Sequence, residues 1–374
     1  MSRRKPKICF LVGYFPIFRG GAEFQSLFIA NSLKKEYEIF FISESQQYIE
    51  SSPFFSEEGF KIYVVDRFNL PKFKPIYLIR YWKIKDILDR EKPDIIYHRA
   101  LNAGIYAATR YCKSTGAKLF WHAAIIGDLF IDKIKFDHNF LISWLESKLM
   151  LKGIFSSDLI FTQTVEQKDI LFKKFGKDSL QVYNFLPVPK EVAVKNQRSL
   201  KVFWIANLKQ KKQPELFIKL AEIFSEVNNI EFIMMGKIQD ERYSLSYLER
   251  VSSELKNFRY LGEVPVETVN SNLFEGHILV NTSKSEGFSN TFVQAFFYKV
   301  PVVSLLVDPD DILENYELGF CTLTFDKMVD KITLLNENRD LLQRMGLNAY
   351  NFAMENLTIK NLDVIKSKFD DYYS

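Results

Sequence analysis

The chain has 374 residues, of which 47% are apolar or aromatic and 26% are charged. This length exceeds what one compact core supports, so two domains are expected, and the 35 Phe and 18 Tyr exclude a disordered chain. The three cysteines are far apart and lack zinc-type spacing, which excludes a disulfide scaffold and favours a reducing compartment. We expect all three to be buried, namely Cys9, Cys112 and Cys321.

Positive charge is concentrated in the first half of the chain. The formal net charge is +4, but residues 1–190 carry +9 and residues 191–374 carry −5. This asymmetry suggests an anionic partner for the first half, either a phosphate-rich ligand or an acidic membrane face.

The first residues imitate a signal peptide, with a basic start and an apolar run over residues 8–18. Gly13 and Pro16 interrupt the run and no small-residue cleavage site follows, so we reject this interpretation. No other stretch approaches the roughly 18 uninterrupted apolar residues that span a bilayer. We therefore expect a cytoplasmic protein, soluble or peripheral on the inner face of the cell membrane.

Short apolar runs alternate with longer amphipathic stretches in the first half of the chain. The alternation predicts strands at residues 7–13, 37–43, 62–66, 95–98, 118–122 and 159–162. Helices are predicted at residues 22–35, 78–90, 102–114 and 165–175. Continuous apolar strands are typical of parallel sheets that helices cover on both faces.

A polar stretch with two prolines, residues 184–198, has no periodicity and is interpreted as a linker. The alternation then resumes, with strands predicted at residues 201–206, 230–235, 258–261, 277–281 and 301–306. Helices are predicted between them at residues 213–224, 241–255, 266–274 and 290–298. The sequence thus predicts an α/β fold of two doubly wound domains, with a ligand site in the cleft outside the carboxyl ends of the strands.

Two segments have the composition of a phosphate-binding or sugar-binding loop. Gly20 and Gly21 follow the first strand and open the first helix, where backbone amides and the helix dipole attract phosphate, although an ordinary turn gives the same pattern. The segment Ser285-Glu286-Gly287 is followed by Phe288-Ser289-Asn290 and a helix. A carboxylate, a glycine and exposed amides can together hold sugar hydroxyls and a diphosphate. Gln294 lies about two turns into that helix, placed to hydrogen-bond a more distant hydroxyl.

At the second segment the chain resembles the retaining glycosyltransferases of family 4, which have the GT-B fold. Members carry a Glu-Gly-Phe loop, a second Glu eight residues later and a Pro-Val-Val strand, as in Pro301-Val302-Val303. The resemblance implies two Rossmann-like domains facing each other across a cleft. It also implies that the final helix crosses back onto the first domain. The implied domains are residues 1–190 for the acceptor, 191–355 for the donor, and 356–374 for the final helix.

The resemblance assigns donor-binding roles elsewhere in the chain. Gly20-Gly21-Ala22-Glu23 matches a family loop that faces the donor diphosphate, and Gly236 matches a donor-side glycine turn. Lys212 falls at the family's lysine that stabilises the departing nucleotide diphosphate. The implied donor site comprises Gly20, Gly21, Asn207, Lys212, Gly236, Glu286, Gly287, Phe288, Ser289, Asn290 and Gln294.

Two positions depart from the family pattern. Asn207 stands where many members have Arg, which removes a charge from the phosphate site. Gln294 stands where they have the second Glu, which weakens a hydrogen bond to the ribose by roughly 1 kcal/mol. Both departures leave the identity of the donor and the catalytic strength open.

Three residues of the first half are further candidates. His122 ends a strand at the predicted cleft, where family members often place a histidine that touches the donor sugar, although a packed histidine is the plain alternative. We count it with Lys212 and Glu286 as catalytic. Arg99 and Asp128 also lie at or just after strand ends and are predicted to bind the acceptor.

The stretch from Arg67 to Arg90 interleaves basic and aromatic side chains. This composition suits contact with an anionic membrane, although a surface helix that packs its aromatics inward gives the same pattern. Nucleic acid is disfavoured because the chain has no nucleic-acid-binding motif and its second half is acidic.

Together these observations predict a metal-independent glycosyltransferase without a cofactor. It would move a sugar from a nucleotide diphosphate sugar to a cell-surface glycan or lipid-linked acceptor, with retention of configuration. One alternative is a catalytically weak or inactive binding subunit. Another is a nicotinamide-dependent two-domain enzyme, which the lack of a GxGxxG motif disfavours.

Overall fold

The structure, a computed structural model, describes residues 4–13, 20–44, 54–65, 76–102, 104–130, 140–191, 195 and 199–372. The chain forms two compact units. The first comprises Met1–Tyr183 with Asn361–Ser374, and the second comprises Asn184–Lys360. The unit boundaries thus fall after residues 183 and 360, compared with the predicted domain boundaries after residues 190 and 355.

The first unit is built on an eight-stranded sheet. Its strands are β1 Lys7–Val12, β2 Glu38–Glu44, β3 Phe54–Glu57, β4 Phe60–Val65, β5 Ile95–Arg99, β6 Lys118–His122, β7 Leu159–Thr162 and β8 Leu180–Gln181. Their order is β3-β4-β2-β1-β5-β6-β7-β8, parallel throughout the described strands except for the β3–β4 pair. All six predicted strands are confirmed. The continuous apolar runs arise because a central strand such as β1 is buried on both faces.

Strand β3 was not predicted, and it is joined to β4 by a two-residue turn. The turn residues Glu58 and Gly59 have φ values of 52° and 85°. Two positive φ values define the turn that matches the twist of a hairpin, in which Asn-Gly or Asp-Gly is the usual signal. Glu in place of Asn or Asp hides the hairpin from sequence analysis.

The described residues before residue 184 form five helices, namely α1 Gly21–Leu33, α2 Ile76–Glu91, α3 Gly104–Thr115, α4 Phe140–Phe155 and α5 Val165–Phe175. Four of them are predicted to within a few residues. Helix α4 was not predicted, because apolar residues occur around most of its circumference and leave no clear 3.6-residue pattern.

The second unit is built on a six-stranded parallel sheet. Its strands are β9 Leu200–Ile205, β10 Ile230–Met235, β11 Phe258–Tyr260, β12 Ile278–Asn281, β13 Val302–Ser304 and β14 Gly319–Cys321. Their order is β11-β10-β9-β12-β13-β14. This is the Rossmann order, in which the chain direction across the sheet reverses between the first and fourth strands, here β9 and β12.

Seven helices accompany this sheet in the described residues. They are α6 Pro214–Ile223, α7 Leu245–Glu254, α8 Val266–Glu275, α9 Asn290–Phe297, α10 Ile312–Asn315, α11 Phe325–Glu337 and α12 Arg339–Asn356. The four predicted helices are confirmed with small changes at their ends. The two parallel sheets with interleaved helices confirm the predicted α/β class.

The last helix, α13 Lys360–Asp371, belongs to the first unit, as predicted. Its Phe369 is fully buried and stacks on Phe120, with ring centroids 5.5 Å apart, and it contacts Tyr97 edge-on at 5.9 Å. The adjacent Asp370 accepts a hydrogen bond from the Tyr37 hydroxyl. Burial of an aromatic ring of this size stabilises the docked helix by roughly 2–3 kcal/mol.

The described part of the predicted linker has no helix or strand, but Phe185 and Leu186 are buried in the second unit and the Leu186 amide donates to the Leu357 carbonyl at 3.2 Å. One expectation about burial is corrected. Of the cysteines, Cys9 and Cys112 are buried, but Cys321 is half-buried. Its strand β14 lies at the edge of the sheet and is covered less completely.

Two buried histidines make the first unit sensitive to acid. Burial lowers the pKa of His98 to about 4 and lowers that of His122 well below its usual value, the latter with a contribution from the Arg99 charge. In the unfolded chain a histidine ionises near about 6.5, so the unfolded state binds more protons below that pH. The stabilisation is therefore complete above about pH 6.5 and is lost as the pH falls toward 4.

We expect His98→Gln to flatten this pH dependence. Wild-type unfolding free energy should fall by up to about 1.4 kcal/mol per pH unit for each buried histidine between pH 6 and 4.5. In the variant, the unfolding free energy should fall less steeply with decreasing pH, because only one of the two buried histidines remains. Urea denaturation at several pH values measures it, and equal slopes in both proteins would contradict the assignment.

Candidate functional site

The candidate site of the second unit lies where strands β9 and β12 end. These neighbouring strands flank the point at which the strand order reverses, which is where open α/β sheets bind their ligands. The loop after β9 ends in a short 3₁₀ turn, Gln210–Lys212. The loop after β12 contains Glu286 and leads into α9.

The ends of these strands bring together Lys212 and Glu286, which are 74 positions apart in the sequence. The Lys212 ammonium forms an ion pair with the Glu286 carboxylate, and the side chains are 18% and 12% exposed. A mostly buried pair of opposite charges at a strand switch point can exchange partners with a charged ligand, since each group is already partly desolvated. The two predicted residues therefore form one constellation.

Thr282 connects the loop after β9 to the loop after β12 by hydrogen bonds. Its hydroxyl lies 2.6 Å from the Lys212 carbonyl and 3.0 Å from that of Gln213, and it accepts from the Trp204 indole at 2.9 Å. The Lys284 amide also donates to the Lys211 carbonyl at 2.9 Å. These bonds fix the position of Lys212 relative to Glu286. Sequence analysis missed Thr282, although its place directly after β12 was a usable signal.

The loop after Glu286 leads directly into helix α9. Gly287 and Phe288 are buried, and Ser289 is the residue before the first helical residue, Asn290. Asn184, a second residue that sequence analysis missed, donates to the Phe288 carbonyl at 2.6 Å and to Asn290 at 2.9 Å. Asn184 thus holds the loop at the amino terminus of α9, which carries a partial positive charge.

Gln294 lies in the second turn of α9 and is 9% exposed. Its amide nitrogen donates to Asn270 of α8 at 3.2 Å. The amide oxygen is thereby the atom of Gln294 that could accept a hydrogen bond from a hydroxyl. Its contact with the ribose stays a prediction.

The two backbone segments that follow β9 and β10 approach each other closely. Gly236 has φ of +149°, and a Cβ added there would lie 1.7 Å from the Ala206 carbonyl oxygen. Only glycine allows this approach. The sequence predicted a glycine turn at Gly236 but not its close contact with the backbone of Ala206. Asn207 directly follows Ala206 and is half-buried. Its side chain makes no hydrogen bond within the described residues.

In the first unit, Gly20 and Gly21 lie at the start of α1. The Gly20 amide donates to the Glu23 carboxylate at 3.0 Å, so this amide already has a hydrogen-bond partner within the protein. Arg19 lies outside the described residues. The donor contact of the two glycines stays a prediction.

His122 lies at the end of β6 and is 1% exposed. Its Nδ1 is 2.6 Å from the Tyr97 hydroxyl and 3.1 Å from an Arg99 nitrogen, and Nε2 has no hydrogen-bond partner in the described chain. A guanidinium can only donate, so Nδ1 is the acceptor and the neutral ring carries its proton on Nε2. The buried Arg99 thus orients His122. The contact of Arg99 with an acceptor stays a prediction.

Asp128 lies in the 3₁₀ turn Ile126–Leu129 after β6 and is 8% exposed. Its carboxylate accepts from the amides of Ala124 at 2.7 Å and Ile125 at 3.1 Å. Burial raises the pKa of Asp128, and these amide hydrogen bonds oppose the rise. The observed contacts hold the turn, and the predicted contact with an acceptor is untested.

The predicted basic and aromatic stretch is described only from Ile76 onward, and its side chains only from Arg80; Arg67 to Pro75 lie outside the described residues. Arg80 is buried and pairs with Glu44 at 2.8 Å, so it is a core residue and not a surface cation. Trp82, in contrast, is 62% exposed.

Two absences hold for the part of the chain that the structure describes. No group of three or more His, Cys, Asp or Glu residues there could hold a metal ion. No helix there is both long enough and apolar enough to span a membrane.

Solved structures of glycosyltransferases have the same fold. Sucrose-phosphate synthase from Thermosynechococcus elongatus superposes with a TM-score of 0.76 at 9% identity, covering 98% of each chain. HepE from Anabaena, in complex with UDP and glucose, gives 0.71 at 14% identity, covering 98% of this chain and 100% of that one. The pneumococcal O-GlcNAc transferase GtfA, in complex with UDP and GlcNAc, gives 0.68 at 11% identity, with coverage of 99% and 100%. The chain therefore has the GT-B fold.

The second unit can be assigned more closely by its sequence. Residues 189–352 match the sequence model of the family Glycosyl transferases group 1. They include the Lys212–Glu286 pair and helix α9. No curated protein matches the chain by sequence. The resemblance to a glycosyltransferase is thus confirmed by the sequence match of residues 189–352 and by the fold of the whole chain.

Proposed function

We propose that this protein is a glycosyltransferase that transfers a sugar from a nucleotide diphosphate sugar to a hydroxyl of a glycan or lipid-linked acceptor, with retention of configuration. The observation that carries the proposal is the Lys212–Glu286 ion pair at the switch point of a Glycosyl transferases group 1 domain. Its position matches the place where open α/β sheets bind their ligands.

The proposed transfer mainly requires stabilisation of the negative charge that develops on the leaving nucleotide diphosphate. The Lys212 ammonium supplies a fixed cation for this charge, and the amino terminus of α9 supplies amides and a dipole. When the diphosphate takes over Lys212, the Glu286 carboxylate is released to accept hydrogen bonds from sugar hydroxyls. These groups suffice without a resident metal ion or cofactor.

We propose UDP as the nucleotide of the donor. Support comes from the relatives of the same fold whose complexes contain UDP, namely HepE, GtfA and Staphylococcus aureus TarM. The test is a thermal-shift screen of UDP, GDP and ADP and of their glucose conjugates on the full chain. A ligand at 100 times its dissociation constant adds about 2.7 kcal/mol to stability. Stabilisation by GDP or ADP but not UDP would reject this choice.

We further propose that the acceptor is presented at the inner face of the membrane. Support comes from the positive charge of residues 1–190 and from exposed aromatic side chains beside lysines on the first unit, such as Trp82 on α2 and Trp144 with Lys148 on α4. Such pairs suit the headgroup region of an anionic bilayer. Co-sedimentation with vesicles that contain phosphatidylglycerol tests this, with Trp82→Ser as the variant.

The inactive binding subunit is the second candidate, because Asn207 and Gln294 replace charged residues of the family pattern. It predicts nucleotide binding without hydrolysis or transfer of the sugar. Turnover of a UDP-sugar by the wild-type protein, lost in Lys212→Met, would exclude it. Tight NAD binding without UDP binding would instead favour a nicotinamide-dependent enzyme.

A further inference from the structure

A cavity of about 290 Å³ lies in the second unit, at the edge of the sheet where the strands begin. His277 precedes β12, Lys299 follows α9, and Arg339 opens α12. The Lys212–Glu286 pair lies at the opposite edge, where β9 and β12 end. The cavity is therefore separate from the candidate donor site. Its walls combine cations with apolar residues, namely Lys195, His277, Lys299, Arg339, Leu342 and Leu347.

Three of these residues are cations, and none has a carboxylate partner in the described part of the chain. Lys195 donates to the carbonyls of Leu273 at 2.8 Å and Phe274 at 3.0 Å. Arg339 donates to Asn336 at 2.9 Å, while its other terminal nitrogen is buried without a partner. The Lys299 ammonium lies 5.6 Å from the ring centre of Tyr350.

These cations lie together although the half of the chain that contains them has a net charge of −5. Like charges around one cavity repel each other, and a buried donor without an acceptor costs about 1–3 kcal/mol. The negative charge of Glu275 raises the pKa of Lys195, but this carboxylate already forms an ion pair with Lys201. The neighbouring residues 192–198 contain no Asp or Glu.

We propose that this cavity binds a phosphate monoester. The phosphate dianion lies among Lys195, Lys299 and Arg339, and the organic part packs on Leu342 and Leu347. A planar guanidinium and two ammonium groups match the geometry and the charge of a dianion better than that of a single carboxylate. The site does not depend on the proposed transferase function, because it shares no residue with the donor site.

The protonation of Lys195 supports this assignment. Burial lowers the pKa of Lys195 to about 7, with a further contribution from Lys299, while Glu275 opposes the shift. An anion bound beside Lys195, Lys299, Arg339 and His277 raises that pKa again. Binding near pH 7 is therefore accompanied by uptake of protons, and it weakens as the pH rises.

The test is calorimetric titration of the full chain with phenyl phosphate, and with benzyl alcohol as the uncharged analogue. Phenyl phosphate should bind to one site and benzyl alcohol should not. Lys299→Asn and Arg339→Gln should each weaken binding at least tenfold; Asn suits the left-handed backbone at Lys299, where φ is 56°. Titration in two buffers of different ionisation heat measures the proton uptake.

Two variants serve as controls. Lys256→Gln removes an exposed lysine away from the cavity, and Lys212→Met alters the candidate donor site. Both should bind phenyl phosphate as the wild type does. Unchanged affinity in Lys299→Asn and Arg339→Gln, or loss of affinity only in Lys212→Met, would overturn the proposal.

Vesicles of phosphatidylcholine with phosphatidic acid, a lipid phosphate monoester, distinguish the source of the ligand. Binding of vesicles that depends on Lys299 and Arg339, without binding of phenyl phosphate, assigns the cavity to a lipid headgroup. Binding of phenyl phosphate alone assigns it to a soluble metabolite. If neither ligand binds, the cavity has no phosphate function and the proposal fails.

Discussion

Replacing Lys212 by Met should lower the turnover number for sugar transfer by about 10²–10³. The change keeps the length of the side chain and removes the cation that meets the leaving diphosphate. Loss of one preorganised group that stabilises developing charge has effects of this size in other enzymes. Initial rates with a UDP-sugar at saturating acceptor measure it, once thermal screening has identified the donor.

The matched control is Lys211→Met, which removes the neighbouring lysine. Lys211 is exposed, whereas Lys212 is 18% exposed and paired with Glu286. The control should keep its activity within about twofold, since an exposed charge is screened by solvent. Equal losses in both variants would mean that general positive charge matters and not the position of Lys212.

The exchanged double variant, Lys212→Glu with Glu286→Lys, separates catalysis from stability. Each single substitution should lower both the melting temperature and the activity. If the ion pair serves only to join the two loops, the double variant should regain both. If Lys212 stabilises the leaving group, the melting temperature recovers while activity stays lost. Recovery of activity would contradict the proposed role.

Gly236→Ala should destabilise the second unit by at least about 3 kcal/mol. The added methyl group would lie 1.7 Å from the Ala206 carbonyl oxygen, and φ of +149° is accessible to glycine almost alone. Since both segments end strands at the candidate site, relief of the clash should also displace Asn207 and weaken UDP binding. Urea denaturation followed by Trp204 fluorescence measures the stability, because Trp204 is the one tryptophan among residues 184–360.

Gly262→Ala is the control, since the Gly262 carbonyl accepts from the Gly236 amide at 2.8 Å. Gly262 also has a positive φ, +73°, but no atom lies within 4 Å of an added Cβ. It should cost about 1–2 kcal/mol from backbone strain alone. The difference between the two variants isolates the steric term, and equal costs would argue against the close approach of the backbones.

Much of the fold and part of the site could be predicted from sequence because their signals are local. Buried parallel strands such as β1 and β12 are continuous apolar runs, and the helices between them have one polar face. The segment from Ser285 to Gln294 carries its signal within ten residues. The antiparallel strand β3 and the largely apolar helix α4 lack such signals, and both were missed.

The sequence by itself therefore determined the α/β class, the alternation of its elements and the resemblance of the second unit to glycosyltransferases. Only the tertiary structure decided which charged groups meet. It paired Lys212 with Glu286, buried Arg80 against Glu44, used Arg99 to orient His122, and gathered Lys195, Lys299 and Arg339 around one cavity. The physical reason is that propensity and periodicity act over a few neighbouring residues, whereas the partner of a charge is set by packing between elements far apart in the chain.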